Sequence, residues 1–78
     1  MPRYFFHRRS ASSHVEDLEG QDLSNLKDAR DEAIEAAREL MSEDVRKGIA
    51  PDDSQFEIAD EQGNVLAIVA FQSALEHK

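Results

Sequence analysis

The 78-residue chain has no cysteine and no tryptophan. Without thiols there is no disulfide framework and no cysteine-built zinc centre. Two prolines and three glycines leave little material for a linker or a low-complexity segment. No apolar run approaches the ~18 residues of a membrane-spanning helix. The opening Met1-Pro2-Arg3-Tyr4 is not followed by the apolar stretch of a secretory signal, so a cytoplasmic chain is expected. A mass of 8.8 kDa allows one hydrophobic core, hence one domain at residues 1–78. A core of this size leaves no surplus stability for a strained active site.

Positive charge is also scarce. Nine basic residues stand against 17 acidic ones, a net charge of −8. Arg3, Arg8 and Arg9 precede the first acid in the chain, so the deficit belongs to everything after His14. Such a balance disfavours nonspecific binding to nucleic acid or anionic lipid and favours basic partners. The basic start forms either a local patch or a set of ion pairs with the chain's own acids.

What is present reads as β-β-α-β-β. Tyr4-Phe5-Phe6-His7-Arg8-Arg9 is aromatic-rich and predicts a strand at 4–9. Ser10-Ala11-Ser12-Ser13 predicts a turn, and His14–Leu18 a weak edge strand closed by Glu19-Gly20. Asn25 as N-cap, with Asp28 three residues on, starts a helix over 26–47, and Gly48 stops it. Leu26, Ala29, Ala33, Ala36, Ala37, Leu40 and Met41 form its apolar stripe, bordered by Ile34 and Val45. The alanines allow the backbone to lie close to whatever it covers. After a loop at 49–54 come strands at 55–59 and 64–71. The Asp60-Glu61-Gln62-Gly63 turn between them should place Gly63 in the left-handed region. The tail from Ser73 is polar, with room for one helical turn. The expected fold is α+β, an antiparallel sheet of about four strands with one long helix across one face.

One helix cannot account for all the apolar residues. Val65, Ala67, Val69 and Phe71 alternate with Leu66, Ile68 and Ala70, so both sides of the last strand are apolar. The first strand repeats this, with Phe5 opposite Tyr4 and Phe6. The sheet curls, or helix and tail cap both sides, or the second face meets another chain. The third option makes Phe5, Leu66, Ile68 and Ala70 a homodimer interface.

Few residues suggest chemistry. Asp31, Glu35, Glu39 and Glu43 form an acidic ridge on the helix. The ridge is either a docking stripe for a basic protein or a solvated face eased by Lys27–Asp31, Glu35–Arg38 and Glu43–Lys47 pairs. Arg30 and Asp44 fall within the apolar arc. Arg30 could reach Asp17 or Glu19, but a snorkelling side chain suits it better, and Asp44 near the helix end should be exposed. His7 and His14 could meet across the first hairpin, though two imidazoles make a poor zinc site. Asp60-x-Gln62-Gly63-Asn64 has the glycine too early for a calcium loop. No nucleophile, phosphate-loop or zincin motif is present, so no enzyme, metal or cofactor is expected. Arg3, Arg8 and Arg9 beside strand aromatics offer the alternative of a small regulatory nucleic-acid binder.

The opening Met1-Pro2-Arg3-Tyr4-Phe5-Phe6, the run Asn25-Leu26-Lys27-Asp28-Ala29-Arg30-Asp31-Glu32-Ala33 and the hairpin Ile58-Ala59-Asp60-Glu61-Gln62-Gly63 are distinctive together. They resemble a family of very small bacterial proteins of unassigned function that open with Pro-Arg-Tyr-Phe-Phe. The resemblance spans nearly the whole chain and implies an independent β-β-α-β-β domain with no known enzyme activity. The chain departs from the family at His7–Ser13, where members carry an Asp and then an Asp-Gly turn. A fainter likeness, in size and charge alone, is to small acidic antitoxin domains. The reading that results is a non-enzymatic, acidic protein-interaction module, self-associating through an apolar sheet face.

Overall fold

The computed structural model describes residues 1–11, 13–48 and 53–76. Ser12 of the expected turn, residues 49–52 of the expected loop and His77 lie outside the described residues. The aromatic opening forms β1, Arg3–Arg9. Its even positions Tyr4 and Phe6 join the core, and its odd positions turn to the other side of the sheet.

One edge of β1 is paired twice. Arg8 and Arg9 pair with β2, His14–Val15, while Arg3 and Tyr4 pair with β3, Gln21–Asp22. The single edge strand expected at 14–18 is therefore two short strands with a loop between them. Glu16-Asp17-Leu18-Glu19 has no apolar alternation to hold it in a ladder, and Leu18 is fully out in solvent. Gly20 returns the chain to β1 with φ of 71°, in the left-handed region.

Helix α1 runs Leu26–Arg46. The Asn25 side chain accepts a hydrogen bond from the Asp28 amide at 2.8 Å, which satisfies one of the unpaired donors of the first turn. At the other end Gly48 takes φ of 79° after the Lys47 cap. Ala29, Ala33 and Ala37 have no accessible surface, and Met41 extends their line. Leu26, Ile34, Ala36 and Leu40 flank it half-buried, but Val45 is exposed rather than bordering the stripe.

The central strand β4, Gln55–Ala59, pairs antiparallel with β1 on one side and with β5, Val65–Ala70, on the other. The Asp60–Asn64 hairpin closes with Gly63 at φ of 87°. The register slips beside it: Ile58 faces Ala67 but Ala59 faces Val65, so Leu66 is the extra residue of a bulge. The last expected strand ends one residue early, because Phe71 opens a second helix, α2, Phe71–Glu76. Phe71 packs its ring 5.1 Å from that of Phe56, and its amide bonds to the Ser54 carbonyl. Burying that ring beside α1 outweighs extending an edge strand into water.

The result is an antiparallel sheet ordered β2-β1-β4-β5, with β3 beside β2 along β1 and both helices on one face. The core joins Tyr4, Phe56, Ile58, Val69 and Phe71 to the alanine line of α1. The shortest dimension, 17 Å, is the thickness of one sheet and one helix layer. The second sheet face has no covering layer among the described residues.

Of the three glycines, Gly20 is the least open to change. A Cβ there would stand 2.9 Å from both the Phe5 ring and the Tyr4 carbonyl oxygen. Adding the left-handed backbone cost, Gly20→Ala should destabilise by about 2 kcal/mol or more. A shift in the urea midpoint reads this directly, and wild-type stability would mean the loop does not lie against β1 as described.

Candidate functional site

The uncovered sheet face is built in cross-strand rows. Phe5, Ala59 and Val65 form one, His7, Glu57 and Ile68 the next, and Arg9, Gln55 and Ala70 the third. Phe5, Ile68 and Ala70 stand in these rows, and Leu66, the bulge residue, is exposed between Val65 and Ala67. They are not equally accessible. The β1 end is furnished from within the chain, since Gly20 backs the Phe5 ring and the His7 imidazole stacks on it at 6.4 Å. Arg9 Nε donates to Glu57 Oε2 at 2.8 Å, so the middle of the face holds a closed ion pair. Exposed aliphatic surface concentrates on β5, with Val65 at 51%, Leu66 at 43% and Ile68 at 55%.

The three arginines of the basic start do not share a surface. Arg3 Nε and Nη2 hold both carboxylate oxygens of Asp22, and Nη1 donates to the Glu19 carbonyl at 2.7 Å. Arg9 is taken up by Glu57. Arg8 lies on the opposite side of the sheet, because it is in register with the core residue Phe56. Its guanidinium sits 5.0 Å over the Phe71 ring, 3.9 Å from Asp44 Oδ2 and 3.4 Å from the buried Ser54 hydroxyl. Asp44 is thus a half-buried partner of Arg8 rather than an exposed end residue. Strand parity could have located Arg8, since it shares its side with Tyr4 and Phe6.

The acidic ridge Asp31, Glu35, Glu39 and Glu43 is exposed along α1. Lys27 pairs with Asp31 at 3.3 Å and Arg38 with Glu35 at 3.8 Å, while Glu43 pairs with Arg46 rather than Lys47. Three of the four carboxylates therefore have local counter-charge. Arg30 is exposed and makes no ion pair among the described residues, Asp17 and Glu19 included.

The Asp17 carboxylate accepts three backbone hydrogen bonds. Its Oδ2 accepts from the Phe6 amide at 3.1 Å, and Oδ1 from the amides of Glu19 and Gly20. The Phe6 amide lies in the gap between β2 and β3, so a carboxylate replaces the missing strand there. The Asp17 amide in turn donates to His7 Nδ1 at 3.0 Å, leaving Nε2 to carry the imidazole proton. His14 meets His7 edge-on, with ring centroids 6.0 Å apart. Among the described residues no three potential metal ligands come together. Sequence reading missed Asp17, though Asp-x-x-Gly before a returning strand is a turn signal.

The family described as a domain of unknown function, DUF6894, matches residues 3–72. No curated protein and no solved structure matches the chain.

The Asp17 network makes an acid-side prediction. Partial burial pushes the Asp17 carboxyl up, but the amides of Phe6, Gly20 and Glu19, with His7 nearby, outweigh it and hold the pKa below the usual value. A depressed folded pKa contributes stability above the ordinary carboxylate range, lost as pH falls through the folded value. Asp17→Ala should cost about 1–2 kcal/mol at neutral pH through its lost hydrogen bonds. The penalty should shrink below about pH 4. Denaturant titrations of both proteins across pH 2–7 give the difference, and a gap independent of pH would refute the assignment.

Proposed function

The chain belongs to the DUF6894 family, a domain of unknown function, and we propose that it is a protein-interaction module that pairs with a second copy of itself through the uncovered sheet face. The observation that carries the reading is the placement of Leu66 and Ile68. Both are large, aliphatic and about half exposed in a chain with a small core. Leaving such side chains in water forgoes roughly 1.5–3 kcal/mol each relative to full burial. The face measures on the order of the longer dimensions, 38 × 28 Å. That is enough for the ~800 Å² per partner of a stable interface. The Arg9–Glu57 pair across its middle is internally neutral, so a partner need not supply a charge.

The basic start supports this reading better than a nucleic-acid one. Arg3, Arg8 and Arg9 each have an acidic partner within the chain and point to two different sides of the sheet. Nothing in their arrangement tracks a phosphate backbone.

Two molecules of charge −8 repel, and salt screens that repulsion, so association should tighten with ionic strength. Light scattering over a concentration series should give twice the 8.8 kDa chain mass. Leu66→Glu should return the mass to that of one chain with an unchanged circular dichroism spectrum, since Leu66 lies outside the core. A wild-type chain that stays single at all concentrations, or a Leu66→Glu chain that still pairs, would sink the proposal.

A further inference from the structure

We propose that the free edge of β5 is a strand-addition site for an extended, acidic segment of another protein, with Arg30 reading its carboxylates. The inference uses the hydrogen-bonding edge of the strand rather than the flat face of the proposed dimer, though the two share Leu66 and Ile68. The two sides of the sheet end unlike one another. On β1 the outer edge is closed by β2, β3 and the Asp17 carboxylate. On the other side β5 pairs, among the described residues, only with β4, so one row of its backbone donors and acceptors has no described strand beside it. The six residues Val65–Ala70 carry no charge and no proline, and the strand therefore lacks the usual protections of an exposed edge. Such an edge is a ready template for an added strand of about six residues, roughly 20 Å long.

The chemistry of the flanks selects the added strand. Along the edge runs a groove of about 170 Å³, lined by Arg30, Ile34, Ile68, Val69, Ala70 and Ser73, with Arg30 and Ile34 contributed by α1. The described lining has one cation and no acid, in a chain whose net charge is −8. Arg38, two turns along α1 from Arg30, donates to the Ala74 carbonyl of α2. On the other side of the sheet the edge presents Leu66 and Ile68. An added strand would thus meet a cation on one side and aliphatic surface on the other. Because side chains alternate along a strand, the matching segment has acids at every second position and aliphatic residues between them.

A second copy fits this edge less well. Pairing two β5 edges about a two-fold axis places both α1 helices on the same side of the joined sheet. Arg30 of one chain would then face the same cation of its mate, with no acid of the groove between them.

The test uses the full chain and a labelled, end-capped peptide, Leu-Glu-Ile-Glu-Val-Glu, followed by fluorescence anisotropy at low salt. Controls replace each Glu with Lys, or the central Ile with Pro to remove a ladder donor. The acidic peptide should bind, perturb the amides of Val65–Ala70 in NMR spectra, and lose affinity as salt rises. Arg30→Glu, an exposed change, should weaken binding by about tenfold or more while leaving the light-scattering mass untouched. That separates this site from the dimer face, where Leu66→Glu changes the mass. No binding of the acidic peptide, equal binding of the lysine or proline controls, or unchanged affinity in Arg30→Glu would each overturn the proposal. So would β5 amides that become protected only as the chain's own concentration rises, because the edge would then belong to a second copy.

Discussion

The fold rests on one contact, the alanine line of α1 against the middle of the sheet. Ala29, Ala33 and Ala37 have no accessible surface, and neither has Ile58 at the centre of β4. Small side chains let the helix axis approach the strands, so the large ones on either flank can close over the junction. Tyr4 and Phe6 do so from β1, while Phe56 and Phe71 do so near the end of the helix. Because one helix can satisfy only one face, this arrangement also decides that the opposite face is left to solvent or to a partner. Core and candidate interface are therefore two consequences of the same packing.

A second constraint acts within the plane of the sheet. A strand needs a neighbour for each row of backbone groups, and β1 and β5 solve this differently. Beside β1 the chain uses two short strands, with Asp17 supplying an acceptor where they leave a gap. That solution uses polar residues and keeps the edge closed. Beside β5 there is no such device among the described residues, and Val65, Leu66 and Ile68 are exposed there. The three arginines of β1 each have an acidic partner, whereas Arg30, toward β5, has none among the described residues.

Much of the architecture was legible because local signals agreed. The Asn25 cap, the three- and four-residue spacing of alanines and Gly48 define α1 to within one residue of the expected 26–47. The Asp60–Gly63 turn sets the β4–β5 hairpin in the same way. The apolar residues on both sides of the last strand marked a second apolar face and left open whether the sheet curled, the helix and tail capped both sides, or another chain met it. What escaped the reading depends on tertiary context. Nothing in Glu16-Asp17-Leu18-Glu19 alone shows that its carboxylate will meet the Phe6 amide. Phe71 continues an apolar run, and only the hollow beside Phe56 and Ser54 turns it into the first residue of a helix. Arg8 looks like part of a basic cluster until the register puts it over the Phe71 ring. The candidate interface residues share a face, as alternation requires, but their unequal exposure follows from Gly20 and His7, which reach them from elsewhere in the chain.

The passage from β5 into α2 has no connecting residue: Ala70 ends the strand and Phe71 begins the helix. At its other end the strand leaves the hairpin whose glycine holds a left-handed turn. A strand pinned at both ends cannot slip along β4 by one or two residues, because a slip would pull the Phe71 ring out of the core or unmake the turn. The edge of β5 is therefore held at one position and one length. A chain laid along it would meet the same side chains at the same places each time, so that the order of residues in such a partner would matter as well as their composition.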